Sequence, residues 1–148
     1  MGLDCSHDAW HGAYSAFMRW RTEIARLIGI PLELMEGFFE PSQSNQIALA
    51  KLAGPNAVAL MRLITKNCPI SWESLKPDPL HILLNHSDCD GEISPEDCSK
   101  IADRLQEILP LLPSSDAGGH IGSWRDKTLK FIAGCRAAAE ANEPLDFH

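Results

Sequence analysis

Apolar side chains recur at helical spacing through most of this 148-residue chain, and that periodicity is the feature that most constrains its fold. The first such stretch predicts a helix over residues 6–28, stopped by Gly29 and Pro31. No stretch shows the convincing alternation of apolar and polar residues that a half-buried strand needs. We therefore predict an all-α fold, an irregular single-domain bundle of about five to seven helices over residues 1–148.

Two serines mark the starts of the last two long helices. Ser94 is followed by Pro95 and stands three residues before Asp97, which is the pattern of a helix N-terminus. Ser123 is followed by an acidic residue at the same spacing. A short helix is expected to begin near Asp78 and Pro79 and to include the apolar run of residues 80–85, so the sequence predicts a helix–loop–helix around residues 80–109.

The regions between these elements are assigned from their prolines and apolar residues. A short helix is predicted over residues 32–39, and two more helices within residues 43–67. Residues 68–79 contain three prolines and are expected to be a connecting loop. The last residues, 145–148, are expected to dock against the body of the protein.

The charge balance argues against a nucleic-acid partner. Thirteen lysines and arginines against twenty acidic residues give a formal net charge of −7 at pH 7. An acidic surface does not attract nucleic-acid phosphates, and the sequence contains no basic stripe. No apolar run reaches the roughly 18–20 residues that span a bilayer, so no membrane partner is expected. The expected partner is an unknown small molecule or a protein.

Cysteine usage indicates a reducing compartment. Five cysteines occur, which is an odd number, and no two of them form a CxxC pair. The first residues lack the charged and apolar regions of a signal peptide. We therefore expect reduced thiols and a cytoplasmic location.

The one stretch that looks like a ligand site lies between two predicted helices. It places three carboxylates, Asp88, Asp90 and Glu92, beside His86 and around the flexible Gly91. Clustered carboxylates repel one another, and a bound cation removes that repulsion. We predict that His86, Asp88, Asp90 and Glu92 are the ligands of a divalent metal ion.

This stretch resembles the calcium-binding loop of the EF-hand proteins. With Gly91 at loop position six, Asp88 and Asp90 fall at positions three and five, and Asp97 falls at position twelve. Position one is His86 rather than a carboxylate, and position twelve is an aspartate rather than a glutamate. Because a nitrogen ligand suits transition metals better than calcium, we expect Zn²⁺ or Mn²⁺ in preference to Ca²⁺.

Two other metal motifs share some of these residues. His86, Asp88, Asp90 and Gly91 resemble the His-x-Asp-x-Asp-Gly motif of the DHH phosphoesterases, whose His and Asp residues hold a pair of Mn²⁺ ions. The Asp-His-His motif of that family is absent from the chain. The Asp-x-Asp-Gly loop of the haloacid dehalogenase-like phosphatases follows a buried parallel strand, for which the sequence offers too few strand signals. The metal-free alternative is a polar joint in which the aspartates cap turns and the next helix.

Three further histidines are candidates for proton transfer in catalysis. His7 and His11 are four residues apart, so a helix would present both on one side. Asp8 stands where the zinc-protease motif H-E-x-x-H has glutamate, so the segment resembles that motif with a shorter acid. His120 lies in a glycine-rich loop before the last helix. The alternative for His7 and His11 is a pair of half-buried histidines hydrogen-bonded at a helix start.

Over its full length the chain resembles a family of small proteins from actinobacteria and their bacteriophages. The residues that carry the resemblance are MGLDCSHDAWHGAYSAF at 1–17, HSDCDGEI at 86–93 and EPLDFH at 143–148. The family has no assigned activity, so the resemblance implies a bacterial or phage cytoplasmic setting and no ligand roles.

Three functions follow from these features. The first is a small cytosolic metal-binding protein that acts as a metal-dependent hydrolase, in which the cation activates a water molecule and His7, His11 or His120 moves the proton. The second is a non-enzymatic module in which an EF-hand-like loop stabilises a surface for a protein partner. The third is a phage or bacterial accessory protein without a metal.

Overall fold

The computed structural model describes residues 2–38, 70–114 and 122–148. The chain divides into two compact units, one of residues 1–20 with 85–148 and the other of residues 21–84. The helices predicted within residues 43–67 lie outside the described residues. The assignment of the whole chain to a single domain stays a prediction.

Both helices and strands occur in the described part of the chain. Its α-helices are α1 (Tyr14–Leu27), α2 (Leu80–Leu84), α3 (Pro95–Ile108) and α4 (Trp124–Ala141). Its strands are β1 (Gly2–Cys5), β2 (Trp10–Ala13), β3 (Glu92–Ile93) and β4 (Leu145–Asp146). They form two antiparallel sheets, β1 with β2 and β3 with β4. The protein is mostly helical, as expected, but the prediction of an all-α bundle of about five to seven helices is wrong.

The largest correction concerns residues 6–13, which were expected to begin the first helix but belong to a β-hairpin of residues 2–13. Leu3 and Cys5 are buried while their neighbours are more exposed, so a four-residue stretch does alternate. Trp10 lies on strand β2 and is buried. It precedes the buried Phe17 of α1 by seven residues. Because seven residues are close to two helical turns, this strand residue imitates the stripe of a longer helix.

The described part of residues 32–39 also differs from its prediction. It contains a short 3₁₀ turn, Leu32–Leu34, instead of an α-helix. The next residue, Met35, pairs as an isolated parallel bridge with Ile70. The backbone N–H of Glu36 and the backbone carbonyl of Leu34 therefore bond to Ile70 instead of continuing a helix.

Aromatic side chains form the centre of the first unit. The ring centroids of Trp10 and Phe17 are 5.1 Å apart, those of Trp10 and Trp20 are 5.2 Å apart, and those of Trp20 and Phe131 are 4.9 Å apart. All four rings are buried. The Trp20 indole N–H donates to the Thr128 hydroxyl at 2.8 Å, which satisfies its one polar group. The cluster fastens the hairpin and α1 to α4.

Helix α4 also passes very close to the turn of the hairpin. A Cβ atom added at Gly134 would lie only 2.3 Å from the Cβ of Ala9. No side chain larger than hydrogen fits at this crossing, so glycine is needed there for space rather than for conformation.

The predicted starts of the last two long helices are confirmed. The Ser94 hydroxyl accepts a hydrogen bond from the Asp97 N–H at 3.2 Å, and the Ser123 hydroxyl accepts one from the Asp126 N–H at 3.1 Å. Each serine satisfies one of the N–H groups that a helix start leaves without an intrahelical partner. Helix α4 ends where Asn142 adopts a left-handed conformation, with φ of 55°.

The second unit contains a buried arginine of α1 whose guanidinium lies at the end of the short helix α2. Asp78 accepts a hydrogen bond from the Leu80 N–H at 2.9 Å, which confirms the predicted helix start near Asp78. Arg21 is 2% exposed, and its guanidinium donates to the Leu84 carbonyl at 3.2 Å, at the C-terminus of α2. The same group lies 5.5 Å from the Phe38 ring. A cation at this end of a helix is stabilised by the helix dipole.

Candidate functional site

The loop that lies between α2 and α3 in the chain is closed by the side chain of His86. The Nδ1 atom of the ring is 2.8 Å from the Ser87 carbonyl oxygen, and the Nε2 atom is 3.2 Å from the Glu92 carbonyl oxygen. Carbonyl oxygens only accept hydrogen bonds, so a ring nitrogen must carry a proton to bond to them. A neutral imidazole can serve one of the two carbonyls, and an imidazolium can serve both.

Gly91 and Phe147 hold the His86 ring in this position. Gly91 has φ of +90°, and a Cβ atom there would lie 3.3 Å from the Cε1 atom of the ring. The ring of Phe147 lies over His86 with the two centroids 4.1 Å apart. The Phe147 N–H also donates to the Gly91 carbonyl at 2.9 Å. The imidazole is thus packed between a glycine and an aromatic ring.

Residues 145–148 join this loop to the N-terminal hairpin, which confirms their expected docking. Leu145 pairs with Ile93 in the small sheet β3–β4. Beyond that sheet, the backbones of His148 and Asp4 exchange two hydrogen bonds, of 2.8 Å and 2.9 Å. Sequence reasoning missed the strand, although the buried Leu145 and Phe147 alternate with exposed neighbours in a pattern that could have indicated it.

A serine, rather than an aspartate, stabilises the turn inside the loop. The Ser87 hydroxyl accepts hydrogen bonds from the backbone N–H groups of Cys89 and Asp90, at 3.3 Å and 3.4 Å. This is the local bonding that serine hydroxyls provide in turns. The metal-free alternative assigned that role to the aspartates, so it named the right type of contact and the wrong residue.

The three carboxylates of the predicted metal site have different surroundings. Asp88 is half-buried, whereas Asp90 and Glu92 are exposed. Glu92 pairs directly with Asp146 across the β3–β4 sheet, so two acidic side chains stand opposite each other. Over residues 2–38, 70–114 and 122–148, no group of three or more His, Cys, Asp or Glu side chains could hold a metal ion. The ligand set with His86 stays a prediction.

The structure separates His7 and His11, which were expected on one side of a helix. His7 lies in the 3₁₀ turn of the hairpin with φ of 56°, and its Nε2 atom is 3.4 Å from a carboxylate oxygen of Glu143. His11 lies on β2 and its Nδ1 atom is hydrogen-bonded to Asp4 on β1. The shared helix face is therefore wrong, because both residues precede α1. His120 lies outside the described residues.

The contact between His11 and Asp4 has an electrostatic consequence. The hydrogen bond from His11 lowers the pKa of the Asp4 carboxyl below its ordinary value. Desolvation opposes this effect, and the charges of His11 and His148 add to it by smaller amounts. The pair is at the surface, so it resembles a cross-strand ion pair more than an enclosed catalytic dyad.

Comparison with known proteins adds no assignment to this geometry. No protein-family model, curated protein or solved structure matches the chain. The resemblance to the family from actinobacteria and their phages therefore stays a prediction. Among the helices of the described part, none combines the length and the apolar character needed to cross a membrane.

Proposed function

We propose that this protein is a non-enzymatic binding module whose EF-hand-like loop is closed by His86 in place of a cation. The observation that carries the proposal is the 3.2 Å contact between the His86 Nε2 atom and the Glu92 carbonyl. In an EF-hand loop the side chain at position one and the carbonyl at position seven both bind the ion. Here the side chain at position one bonds to the carbonyl at position seven itself.

The backbone around this contact supports the comparison with EF-hand loops. Gly91, at loop position six, makes the sharp turn with its positive φ, as the invariant glycine of those loops does. Ile93, at position eight, is buried in the short strand β3, and Ser94 caps the helix that leaves the loop. These features support a loop of EF-hand type in which the first residue is an imidazole.

Two exposed leucines of the first unit are the side chains that we propose to contact a protein partner. Leu111 is 62% exposed and Leu129 is 45% exposed. Arg125 donates to the carbonyls of Pro110 and Leu112, the two neighbours of Leu111 in the chain, and stands one helical turn before Leu129 on α4. We propose that the two leucines form one apolar surface, which would favour association with another protein. The free thiols of the described cysteines are consistent with a cytoplasmic location for such a module.

The role of His86 is tested by calorimetric titration of the full chain with Ca²⁺. We expect no binding heat for the wild type. His86→Asp restores a carboxylate at position one and should bind Ca²⁺, with a melting temperature that rises as Ca²⁺ is added. At 100 times the Kd, the gain in stability would be about 2.7 kcal/mol. His86→Asn is the matched control, since it removes the imidazole without adding a charge, and it should give no response.

The binding role is tested by comparing what variants of the chain capture from a cytoplasmic extract. The double variant Leu111→Ser/Leu129→Ser should lose a protein that the wild type retains. The control is Ile82→Ser, which changes an apolar residue of similar size in the other unit that is 39% exposed. This variant should still capture the protein that the wild type retains. Equal capture by the double variant and the wild type would contradict the proposed surface.

A second candidate function is cation binding at the same loop, and one distance favours it. Two ligands of one ion at bond lengths of about 2.1–2.4 Å and a right angle lie roughly 3 Å apart, close to the separation of His86 Nε2 and the Glu92 carbonyl oxygen. Asp88 and Asp90 would complete the site for Zn²⁺ or Mn²⁺. In the hydrolytic version, His7, His11 or His120 would move a proton from the activated water.

The same calorimetry separates this candidate from the first. Binding of Zn²⁺ or Mn²⁺ by the wild type, abolished by Asp88→Asn/Asp90→Asn, would support a metal site and contradict closure by His86 alone. An absence of binding heat with both ions would count against the metal site and its hydrolytic version.

A further inference from the structure

We propose that the indole N–H of Trp10 and the ammonium group of Lys127 form a binding site for a carboxylate, where strand β2 meets helix α4. The site uses no residue of the loop at 86–93, and it includes neither Leu111 nor Leu129. The proposal is therefore separate from both candidate functions.

Trp10 has a buried hydrogen-bond donor without an acceptor. Its side chain is 1% exposed, and no acceptor among the described residues lies within hydrogen-bond distance of its Nε1 atom. Two other indoles differ in this respect. Trp20 donates to the Thr128 hydroxyl at 2.8 Å, and Trp72 donates to the Glu36 carbonyl at 3.1 Å. Because buried polar groups are nearly always paired, the Trp10 N–H indicates a place for an acceptor from outside the described chain.

Gly12 leaves room beside this donor. Trp10 and Gly12 are two residues apart on β2, so they lie on the same face of the strand. A Cβ atom added at Gly12 would lie 3.5 Å from the Trp10 Nε1 atom, and Gly12 itself is only half-buried. The side chain of His11 is on the opposite face, where it is hydrogen-bonded to Asp4. The Asp4 carboxylate is therefore directed away from the proposed site.

Lys127 places a positive charge over the same ring. Its Nζ atom is 5.0 Å from the centroid of the Trp10 ring and 3.5 Å from the His11 carbonyl oxygen, which is a long and weak contact for a hydrogen bond. Within the described ranges, no carboxylate forms an ion pair with Lys127, whereas Lys130 pairs with Asp8 at 3.3 Å.

The surroundings of Lys127 increase the benefit of an anionic partner. Desolvation lowers the pKa of the Lys127 ammonium below its ordinary value, and the charge of Lys130 adds to this effect. Both effects disfavour the charged form of the amine. A bound anion opposes them directly, because an opposite charge within a few ångströms favours the charged form.

The two donors favour a carboxylate over other small ions. A carboxylate is an acceptor with two oxygens, so one oxygen can bond to the indole N–H and the other to the ammonium. Its single negative charge matches the single positive charge of Lys127. A chloride ion offers one atom to both donors, and a cation would be repelled. The flexible four-carbon chain of Lys127 lets the ammonium move from the His11 carbonyl to the ligand.

The test is a titration of the full chain with sodium acetate, followed by ¹H–¹⁵N NMR. We expect a saturable shift of the Trp10 indole signal and of the Gly12 backbone amide signal. The Trp20 indole signal should not move, because its proton is already bonded to Thr128. Sodium chloride at the same ionic strength is the control and should leave all three signals in place.

A second titration distinguishes two sources of the carboxylate. It uses a capped peptide with a single glutamate. Tighter binding of this peptide than of acetate would identify an acidic protein segment as the ligand. Equal or weaker binding would identify a free small carboxylate.

Matched variants test the role of each group. Lys127→Met keeps the chain length without the charge and should weaken acetate binding about ten-fold or more. Lys130→Met, one turn further along α4, is the control and should bind acetate like the wild type. In Trp10→Phe, which keeps a ring without the N–H, the Gly12 amide should no longer respond.

The wild-type titration decides if a variant fails to fold. The proposal is overturned if acetate leaves the Trp10 and Gly12 signals in place, or if chloride moves them equally. It is also overturned if a folded Lys127→Met variant binds acetate as well as the wild type does.

Discussion

The loop at residues 86–93 and the hairpin at residues 2–13 both combine histidine with aspartate over a few residues, yet their structures have different origins. The turn of the loop is stabilised from within, by the Ser87 hydroxyl, the positive φ of Gly91 and the contacts of His86 with nearby carbonyls, and Phe147 from the chain end then covers the His86 ring. The hairpin is formed by its own two strands but is held in place by distant residues, since α4 packs on its turn and the chain end pairs with it. Short-range hydrogen bonding can be inferred from neighbouring residues, and long-range pairing cannot.

The largest effect is expected for Phe147→Ala, because this residue belongs to both regions. Its ring packs on His86 of the loop and on Phe17 beneath the hairpin, and it is 3% exposed. Truncation of a buried phenylalanine costs about 3–5 kcal/mol of unfolding free energy. Urea denaturation measures the loss, and His148→Ala, at the exposed neighbouring position, should be close to neutral. A loss below about 1 kcal/mol for Phe147→Ala would contradict the packing described here.

A smaller and more local effect is expected for Gly91→Ala. Forcing a side chain into the left-handed region costs roughly 1–2 kcal/mol, and the new Cβ would also press on the His86 ring. Gly122→Ala is the matched control, since it has a similar φ of +84° with open space around the added carbon. We expect Gly91→Ala to destabilise the protein more than Gly122→Ala does. Equal losses would mean that the ring does not lie against Gly91.

Parts of the fold that depend on neighbouring residues can be predicted from the sequence, whereas the hairpin could not. The helix starts at Ser94 and Ser123 were predictable because a cap depends on residues within one turn. The hairpin was not, because the four residues of β1 alternate too briefly to be recognised and Trp10 continues the helical spacing of α1. The helical assignment failed where the pairing of β2 with the neighbouring strand β1 determined the backbone.

For the site, the sequence identified the segment and not its internal bonding. The position of Gly91 and the flanking helices predicted an EF-hand-like loop, which stays a prediction, and Gly91 has the positive φ that a sharp turn requires. The covering ring of Phe147 was not predictable, since it comes from the far end of the chain. Without that ring and the bond to the Glu92 carbonyl, His86 could be interpreted only as a metal ligand.

A still smaller effect, of opposite sign, is expected at the sheet that joins the loop to the chain end. Glu92 stands directly opposite Asp146, and both are exposed. Asp146→Lys replaces repulsion by attraction and should stabilise the protein by roughly 0.2–1 kcal/mol at low salt. Asp146→Asn, which only removes the repulsion, should give less. The gain should shrink when the melts are repeated at high salt, and a gain that is independent of salt would rule out this electrostatic origin.

The smallest effect is a pH dependence in the hairpin. Because the folded-state pKa of Asp4 is lowered chiefly by the His11 hydrogen bond, the interaction stabilises the protein above the unfolded-state pKa. This contribution is lost as the pH falls through the lower folded-state pKa. The difference in melting temperature between wild type and Asp4→Asn should therefore be present at neutral pH and disappear in acid. Asp8→Asn is the control, since it removes an exposed carboxylate of the same hairpin whose partner is Lys130 rather than a histidine. An identical profile for both variants would contradict a specific role for Asp4.

We propose that an imidazole N–H of His86 occupies the place that a cation has in an EF-hand loop. The most direct measurement is the long-range ¹H–¹⁵N NMR spectrum of the His86 ring in the full chain, recorded in EDTA and then in excess Ca²⁺ or Zn²⁺. We predict that Nε2 carries a proton and that its signal is the same in all three conditions. A Nε2 atom without a proton, or a signal that moves when either ion is added, would contradict the claim.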